Sequence, residues 1–211
     1  MKLDLSAPQV MAIVNVTPDS FFADSRTFCA DAIVRRVENA LAEGASMLDI
    51  GGYSSRPGAA EVPVEEEWRR VAMGLDAVRC GGAQVLVSVD TFRSEIVARA
   101  VERFGEVIVN DISAGELDER MLPIVAHYGV PYVAMHMKGT PQTMQSMADY
   151  RGGIVDAVTD YFRARTADLL SVGIRRENIL LDPGFGFAKT LEQNYELLSG
   201  LHRLCETGYP V

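Results

Sequence analysis

The chain has 211 residues, 48% hydrophobic and 23% charged, with a formal net charge of −9. That length suits one large domain or two small ones, with ample residues for a sizeable core. The acidic balance excludes general nucleic-acid binding, which needs an excess of Lys and Arg, but leaves an anionic small ligand open, because only the local charge of its pocket decides.

Six apolar runs, each ending in a small polar cluster, punctuate the chain. Met11-Ala-Ile-Val-Asn15 predicts the first strand, and Asn15-Val-Thr-Pro-Asp-Ser-Phe21 follows it as a loop started by Pro18. Ile33, Val37, Ala40 and Leu41 then share one helical face between Asp31 and Glu43, with Gly44 as the stop. The second run is Met47-Leu-Asp-Ile-Gly51, within Asp49-Ile-Gly-Gly-Tyr-Ser-Ser-Arg-Pro-Gly58. Pro63 opens the next helix, where Val64, Trp68, Val71, Leu75 and Val78 recur at helical spacing. Val85–Asp90 is the third strand. Ser94 is a candidate N-cap for a helix carrying Ile96, Val97, Ala100, Val101 and Phe104, closed by Gly105. Val107–Asp111 is the fourth strand, and Met121, Leu122, Val125 and Tyr128 give a short helix ending at Gly129. Pro131–His136 is the fifth strand, Ile154–Val172 a longer helix, and Ile179–Asp182 the sixth strand. Leu191, Tyr195, Leu198, Leu201 and Leu204 mark one last helix, ended by Gly208.

Strand and helix alternate strictly, and the strands are nearly continuous Val/Ile/Leu runs, as expected where both faces are covered. The fold class is therefore α/β with a parallel sheet and right-handed crossovers. An open doubly wound sheet and a TIM (β/α)8 barrel both fit this pattern. A barrel takes roughly 250 residues and eight units. About six βα units are present, and Tyr209-Pro210-Val211 reads as the opening of a seventh strand. The expectation is a single barrel domain over residues 1–211, incomplete because its seventh and eighth βα units are missing. In such a barrel every strand points its carboxyl end at one face, so the polar endings would assemble a shared site.

Other features are plain. No apolar run approaches the ~20 residues that cross a bilayer, and the N-terminus lacks the apolar core of a signal peptide. Cys29, Cys80 and Cys205 are odd in number and widely spaced, which predicts free thiols in a reducing cytoplasm.

Taken singly, the polar endings are ambiguous. Asn15 offers a neutral amide oxygen suited to a hard cation or a phosphate-rich ligand, or it belongs to a turn with no ligand. Arg56, beside Ser54 and Ser55, is a partner for carboxylate or phosphate, or a solvated loop arginine. One strand-end Asp is commonly a helix N-cap, yet Asp90 and Asp182 together on one face are harder to explain by structure alone.

As a set, these segments resemble dihydropteroate synthase, the pterin-binding enzyme of folate synthesis. The matching stretches are Asn-Val-Thr-Pro-Asp-Ser-Phe at 15–21, Asp-Ile-Gly-Gly-Tyr-Ser-Ser-Arg-Pro-Gly at 49–58, Val-Ser-Val-Asp-Thr at 87–91, Val-Asn-Asp-Ile at 109–112, Met-His-Met-Lys-Gly-Thr-Pro at 135–141 and Leu-Asp-Pro-Gly-Phe-Gly-Phe at 181–187. The resemblance implies a TIM barrel and a transferase that condenses p-aminobenzoate with 6-hydroxymethyl-7,8-dihydropterin diphosphate, giving dihydropteroate and pyrophosphate. It implies pterin-reading roles for Asp90, Asn110 and Asp182, a ring contact for Met137, and a wall of the p-aminobenzoate site at Phe187. Asn15 becomes a ligand of Mg²⁺ on the diphosphate side. Ser55 and Arg56 would hold phosphate oxygens or the second substrate's carboxylate. Asp19, Phe21 and Asp24 lie on a loop expected to close over the reaction, although Ala23-Asp-Ser-Arg26 departs from the family's Gly-rich continuation. A structural role is expected for His136, and surface positions for His127 and His202. Absent from the chain are the family's Ser-Arg-Lys and Arg-x-His segments, on its seventh and eighth strands. The 211-residue chain is therefore expected to have little or no synthase activity. The resemblance further implies a cytoplasmic enzyme with small-molecule partners only, homodimeric at full length. A pterin-dependent methyltransferase and a non-catalytic pterin-binding module are the competing readings.

Overall fold

The computed structural model describes residues 3–17, 26–54, 56, 60–80 and 85–211, without the side chains of 26–30. Among these residues, six strands alternate with helices: β1 Met11–Asn15, α1 Arg26–Ala42, β2 Met47–Gly51, α2 Val64–Cys80, β3 Leu86–Asp90, α3 Ser94–Phe104, β4 Ile108–Asp111, α4 Met121–Tyr128, β5 Tyr132–Met135, α5 Ile154–Ser171, β6 Ile179–Asp182, α6 Leu191–Ser199 and α7 Leu201–Cys205. The chain divides into two compact units. One comprises Met1–Ser54, Ala59–Thr91 and Glu95–Asn110; the other comprises Ser55–Gly58, Phe92–Ser94 and Asp111–Val211.

In the first unit β1 pairs with β2, β2 with β3 and β3 with β4, all parallel, so neighbours in the sheet are neighbours in the chain. Alternate strand residues Val14, Ile50 and Val89 are buried with Ile33 and Val37 of α1, Val71 and Leu75 of α2, and Ile96 and Ala100 of α3. The helical spacing in the sequence and the period of two along the strands meet in this core. At Gly74 a Cβ would come within 2.5 Å of Ile50, so only glycine lets α2 lie this close to β2.

In the second unit β5 pairs with β6 in parallel. The Pro210 carbonyl accepts from the Leu181 N–H at 2.9 Å, which places the expected seventh-strand segment alongside β6. Gly129 ends α4 at φ 63°, donating its N–H to the Val125 carbonyl.

The structure corrects several boundaries. Helix α1 starts at Arg26, five residues before the expected Asp31, because nothing in between breaks propagation. Ser94 is the first residue of α3, its N–H donating to Asp118 Oδ2 at 2.7 Å. The predicted last helix is two, α6 and α7, divided at Gly200, where a Cβ would stand 2.6 Å from Val155 of α5. The corner is set by packing against a neighbouring helix, which a hydrophobic period does not report. Short 3-10 turns at Met144–Ser146 and Arg176–Asn178 were not anticipated. Among the described residues no helix is long and apolar enough to cross a membrane.

Candidate functional site

In the first unit the strand register builds a row. Asn15 pairs with Gly51, Gly51 with Asp90, and Asp90 with Asn110, all at the carboxyl ends of their strands. Their neighbours Val14, Ile50, Val89 and Val109 point the other way, into the buried face, so the polar residues share the opposite face. Gly51 is what makes the row possible. A Cβ there would lie 3.0 Å from Asn15 Oδ1 and 3.2 Å from Asp90 Oδ2, so the bare backbone leaves room for both oxygens.

One layer down, two residues earlier on each strand, Asp49 pairs with Ser88 and Ser88 with Ile108. Asp49 is 5% exposed. Its Oδ2 accepts a hydrogen bond from Asn110 Nδ2 at 3.0 Å. With its nitrogen committed downwards, the Asn110 amide offers its oxygen to a ligand. Asp49 was quoted in the sequence motif without a role; its function is visible only once β2 and β4 are placed.

The loops after β2 and β3 are anchored on α2. Arg70 Nη1 donates to the Gly52 carbonyl at 3.1 Å, and Thr91 Oγ1 donates to buried Glu67 Oε1 at 2.6 Å. Arg56 is exposed. Asp19, Phe21, Asp24 and Ser55 lie outside the described residues.

In the second unit Asp182 ends β6, and its Oδ1 accepts from the Gly184 N–H at 2.8 Å. Burial pushes this carboxyl above the ordinary range, while the Gly184 N–H and the Lys189 cation pull it down. Met137 is 4% exposed and packs with Ile112, Met135, Met144 and Ala188, with Phe92 and Phe187 against them. Met137 and Phe187 thus share one apolar cluster, and Met137 belongs to its core. Such a thioether-and-ring wall can take a flat aromatic ligand.

Lys189 is the residue that sequence reasoning passed over. It is 6% exposed. Its Nζ donates to the carbonyls of Gly184 at 2.8 Å, Phe187 at 2.9 Å and His136 at 3.3 Å, and lies 3.0 Å from His136 Nδ1. Burial holds its pKa down to about 8, opposed by Asp182. A lysine at the end of a Gly-rich, aromatic-flanked loop was the only available signal. His136 has the structural role expected of it. Burial and then Lys189 depress its pKa to about 3, so it is neutral at physiological pH and only a weak base. Its ring stacks edge-on against Tyr161 at 4.8 Å between centroids. His127 and His202 are exposed, as anticipated.

Asp111, neighbour of Asn110 in the same motif, is a structural carboxylate. It accepts from the Ser113 N–H at 2.8 Å, Ser113 Oγ at 2.7 Å, the Gly115 N–H at 2.7 Å and the Tyr132 hydroxyl at 2.8 Å. Among the described residues no group of three or more His, Cys, Asp or Glu side chains could hold a metal ion.

Parallel strands alternating with helices in chain order, with amide and carboxylate groups at the carboxyl ends of the strands, define an α/β protein of barrel connectivity. The chain belongs to the pterin binding enzyme family, whose sequence profile matches residues 11–211. It is 41% identical over 209 residues to dihydropteroate synthase of Haemophilus influenzae, covering 99% of this chain and 74% of that protein. It is 44% identical over 194 residues to the folic acid synthesis protein fol1 of Schizosaccharomyces pombe, covering 92% of this chain but 26% of that one. The solved dihydropteroate synthase of Xanthomonas albilineans with 4-aminobenzoic acid superposes with a TM-score of 0.89 at 40% identity, over 99% of this chain and 73% of that chain. These likenesses confirm the (β/α)8 barrel as the fold to which the six βα units belong.

Proposed function

We propose that this protein is a transferase of the dihydropteroate synthase type, and that residues 1–211 form one pterin-binding domain. The observation that carries the reading is the register row of Asn15, Gly51, Asp90 and Asn110 at the strand ends, supported by relatives named for this activity. The substrates would be 6-hydroxymethyl-7,8-dihydropterin diphosphate and p-aminobenzoate.

The residues divide the work by chemistry. A pterin's aminopyrimidinone edge carries paired N–H donors, which the Asp182 carboxylate accepts. The Asn110 amide oxygen and Asp90 read other ring positions. Met137 and Phe187 pack on flat rings. Arg56, with Ser55, holds phosphate oxygens or the benzoate carboxylate. In the reaction the bond from the exocyclic carbon to the diphosphate oxygen breaks, the aniline nitrogen bonds to that carbon, and a nitrogen proton leaves. Such a substitution needs stabilisation of the leaving group more than a strong base, which agrees with a buried His136 that is only a weak base. Asp19, Phe21 and Asp24 would belong to the loop over the leaving group.

The donor set fits Mg²⁺ in the form this ion commonly takes beside phosphates, with few protein ligands and several oxygens from substrate and water. Asn15 Oδ1, for which Gly51 leaves room, would hold it. When bound, the ion would supply charge neutralisation at the diphosphate. A cytoplasmic location and a homodimer follow the same family reading.

Calorimetry with the pterin diphosphate, with and without Mg²⁺, tests the reading. Binding strengthened by the metal supports it; binding indifferent to the metal favours methyl transfer or a binding-only module, and no binding removes it.

A further inference from the structure

We propose that Lys189 is a positioning residue of the pterin site, its buried ammonium group tying the β6–α6 loop to the end of β5 and favouring the charged form of Asp182 that the ligand needs. The inference rests on the pterin reading above and concerns a side chain to which that reading gives no role.

The geometry is specific. An ammonium group has three protons to donate, and Nζ has four acceptors within 3.3 Å: the Gly184, Phe187 and His136 carbonyls and His136 Nδ1. None of these is a carboxylate, so Lys189 is held by neutral dipoles from two segments that the chain joins only through α5. The two loop carbonyls belong to Gly184, whose N–H binds Asp182, and to Phe187, which packs on the Met137 cluster. One cation therefore fixes the loop on both sides of its turn, at the residues next to those that would grip the pterin and the second ring. One position in that turn is costly: Ala188, a fully buried non-glycine, has φ 51°. Such strain persists only when the surroundings hold it, and the Nζ bond to the Phe187 carbonyl, in the peptide before Ala188, contributes to that hold.

The second role is electrostatic. A carboxylate buried as Asp182 is tends to keep its proton, and a protonated carboxyl cannot accept two N–H donors. The Lys189 cation acts against this tendency. Lys189 faces His136, just after β5, and Asp182 of β6; around His136 in turn stand Tyr161 of α5 and, in the segment after β5, Lys138 and Tyr150. His136 is neutral across the working range, and burial pushes both tyrosines up, Tyr150 to about 12. Asp182 is therefore the titrating neighbour that Lys189 controls on the acid side.

The test is binding of 6-hydroxymethylpterin by calorimetry as a function of pH, for the wild-type chain, Lys189→Met and Lys189→Gln. Both variants are checked for fold by circular dichroism. Gln retains two N–H donors for the carbonyls and removes the charge, so it carries the test if Met fails to fold. The wild type should bind, with affinity falling on the acid side of a midpoint set by Asp182. The variants should bind about tenfold more weakly at pH 7, with that midpoint moved to higher pH. Unchanged affinity and midpoint in a folded variant overturn the role of Lys189 and leave the pterin reading standing. Weaker binding with an unmoved midpoint reduces Lys189 to a loop brace and overturns the electrostatic half. A wild type that does not bind the pterin removes both.

Discussion

Asn110 and Asp49 stand 61 residues apart in sequence and are joined by one hydrogen bond, from Asn110 Nδ2 to Asp49 Oδ2 at 3.0 Å. The carboxylate one layer beneath the rim thus decides which way the amide above it faces. An unconstrained Asn can present either its oxygen or its nitrogen to a ligand; this one is turned to present oxygen.

Removing that control should cost recognition without emptying the site. Asp49→Ala is expected to weaken pterin binding by about tenfold, the typical loss when a buried hydrogen bond is broken and its partner freed. Calorimetry on the variant checks this, with Asn110→Ala as the reference. If Asp49 acts through Asn110, the double variant should lose little more than Asn110→Ala alone.

The two ends of the substrate should separate by mutation. Asp182→Ala is expected to abolish pterin binding, because the paired ring donors lose their acceptor. Arg56→Ala should leave a pterin lacking the diphosphate bound as before and weaken the pterin diphosphate or the benzoate. Titrating each variant with both pterins reads this directly, and an Asp182→Ala chain with wild-type pterin affinity would remove the central assignment.

Gly184 is predicted to tolerate no side chain. It sits at φ 68°, and a Cβ would overlap the His136 carbonyl oxygen. Gly184→Ala should lower stability by about 3 kcal/mol through backbone strain and displacement of that carbonyl. Urea unfolding should show a lower midpoint at unchanged slope, with pterin affinity reduced because the Gly184 N–H no longer meets Asp182.

Acid should destabilise the protein through His136. Its folded pKa lies near 3, against the 6.5 of a free imidazole, so the unfolded chain binds the extra proton. The stabilisation is complete above pH 6.5 and is lost as pH falls from there towards about 3. Between pH 6.5 and 5 the loss should approach about 2 kcal/mol. Denaturant titrations at the two pH values measure it, and His136→Gln should flatten the difference. An identical slope in that variant would assign the acid loss to carboxylates elsewhere.

Much of the architecture is legible in the chain itself. Val/Ile/Leu runs ending in Asn15, Asp90 and Asn110, and helices stopped by Gly105, Gly129 and Gly173, follow from local period and from where glycine can turn the backbone. The exceptions were tertiary. Helix α6 gives way to α7 at Gly200 because Val155 lies against that corner, and no pattern in residues 191–204 announces a neighbour on another helix.

The site divides along the same line. Residue types and their places at strand ends come from sequence alone, since a strand's last polar residue must emerge at the rim. What only the folded chain decides is who faces whom: Asn15 and Asp90 sharing the space over Gly51, Asp49 turning Asn110, and Lys189 binding the end of β5 to its own loop across 53 residues. Those contacts depend on strand register and loop closure. A shift of a single residue turns every side chain of a strand to the other face, and no local periodicity specifies how distant strands will align.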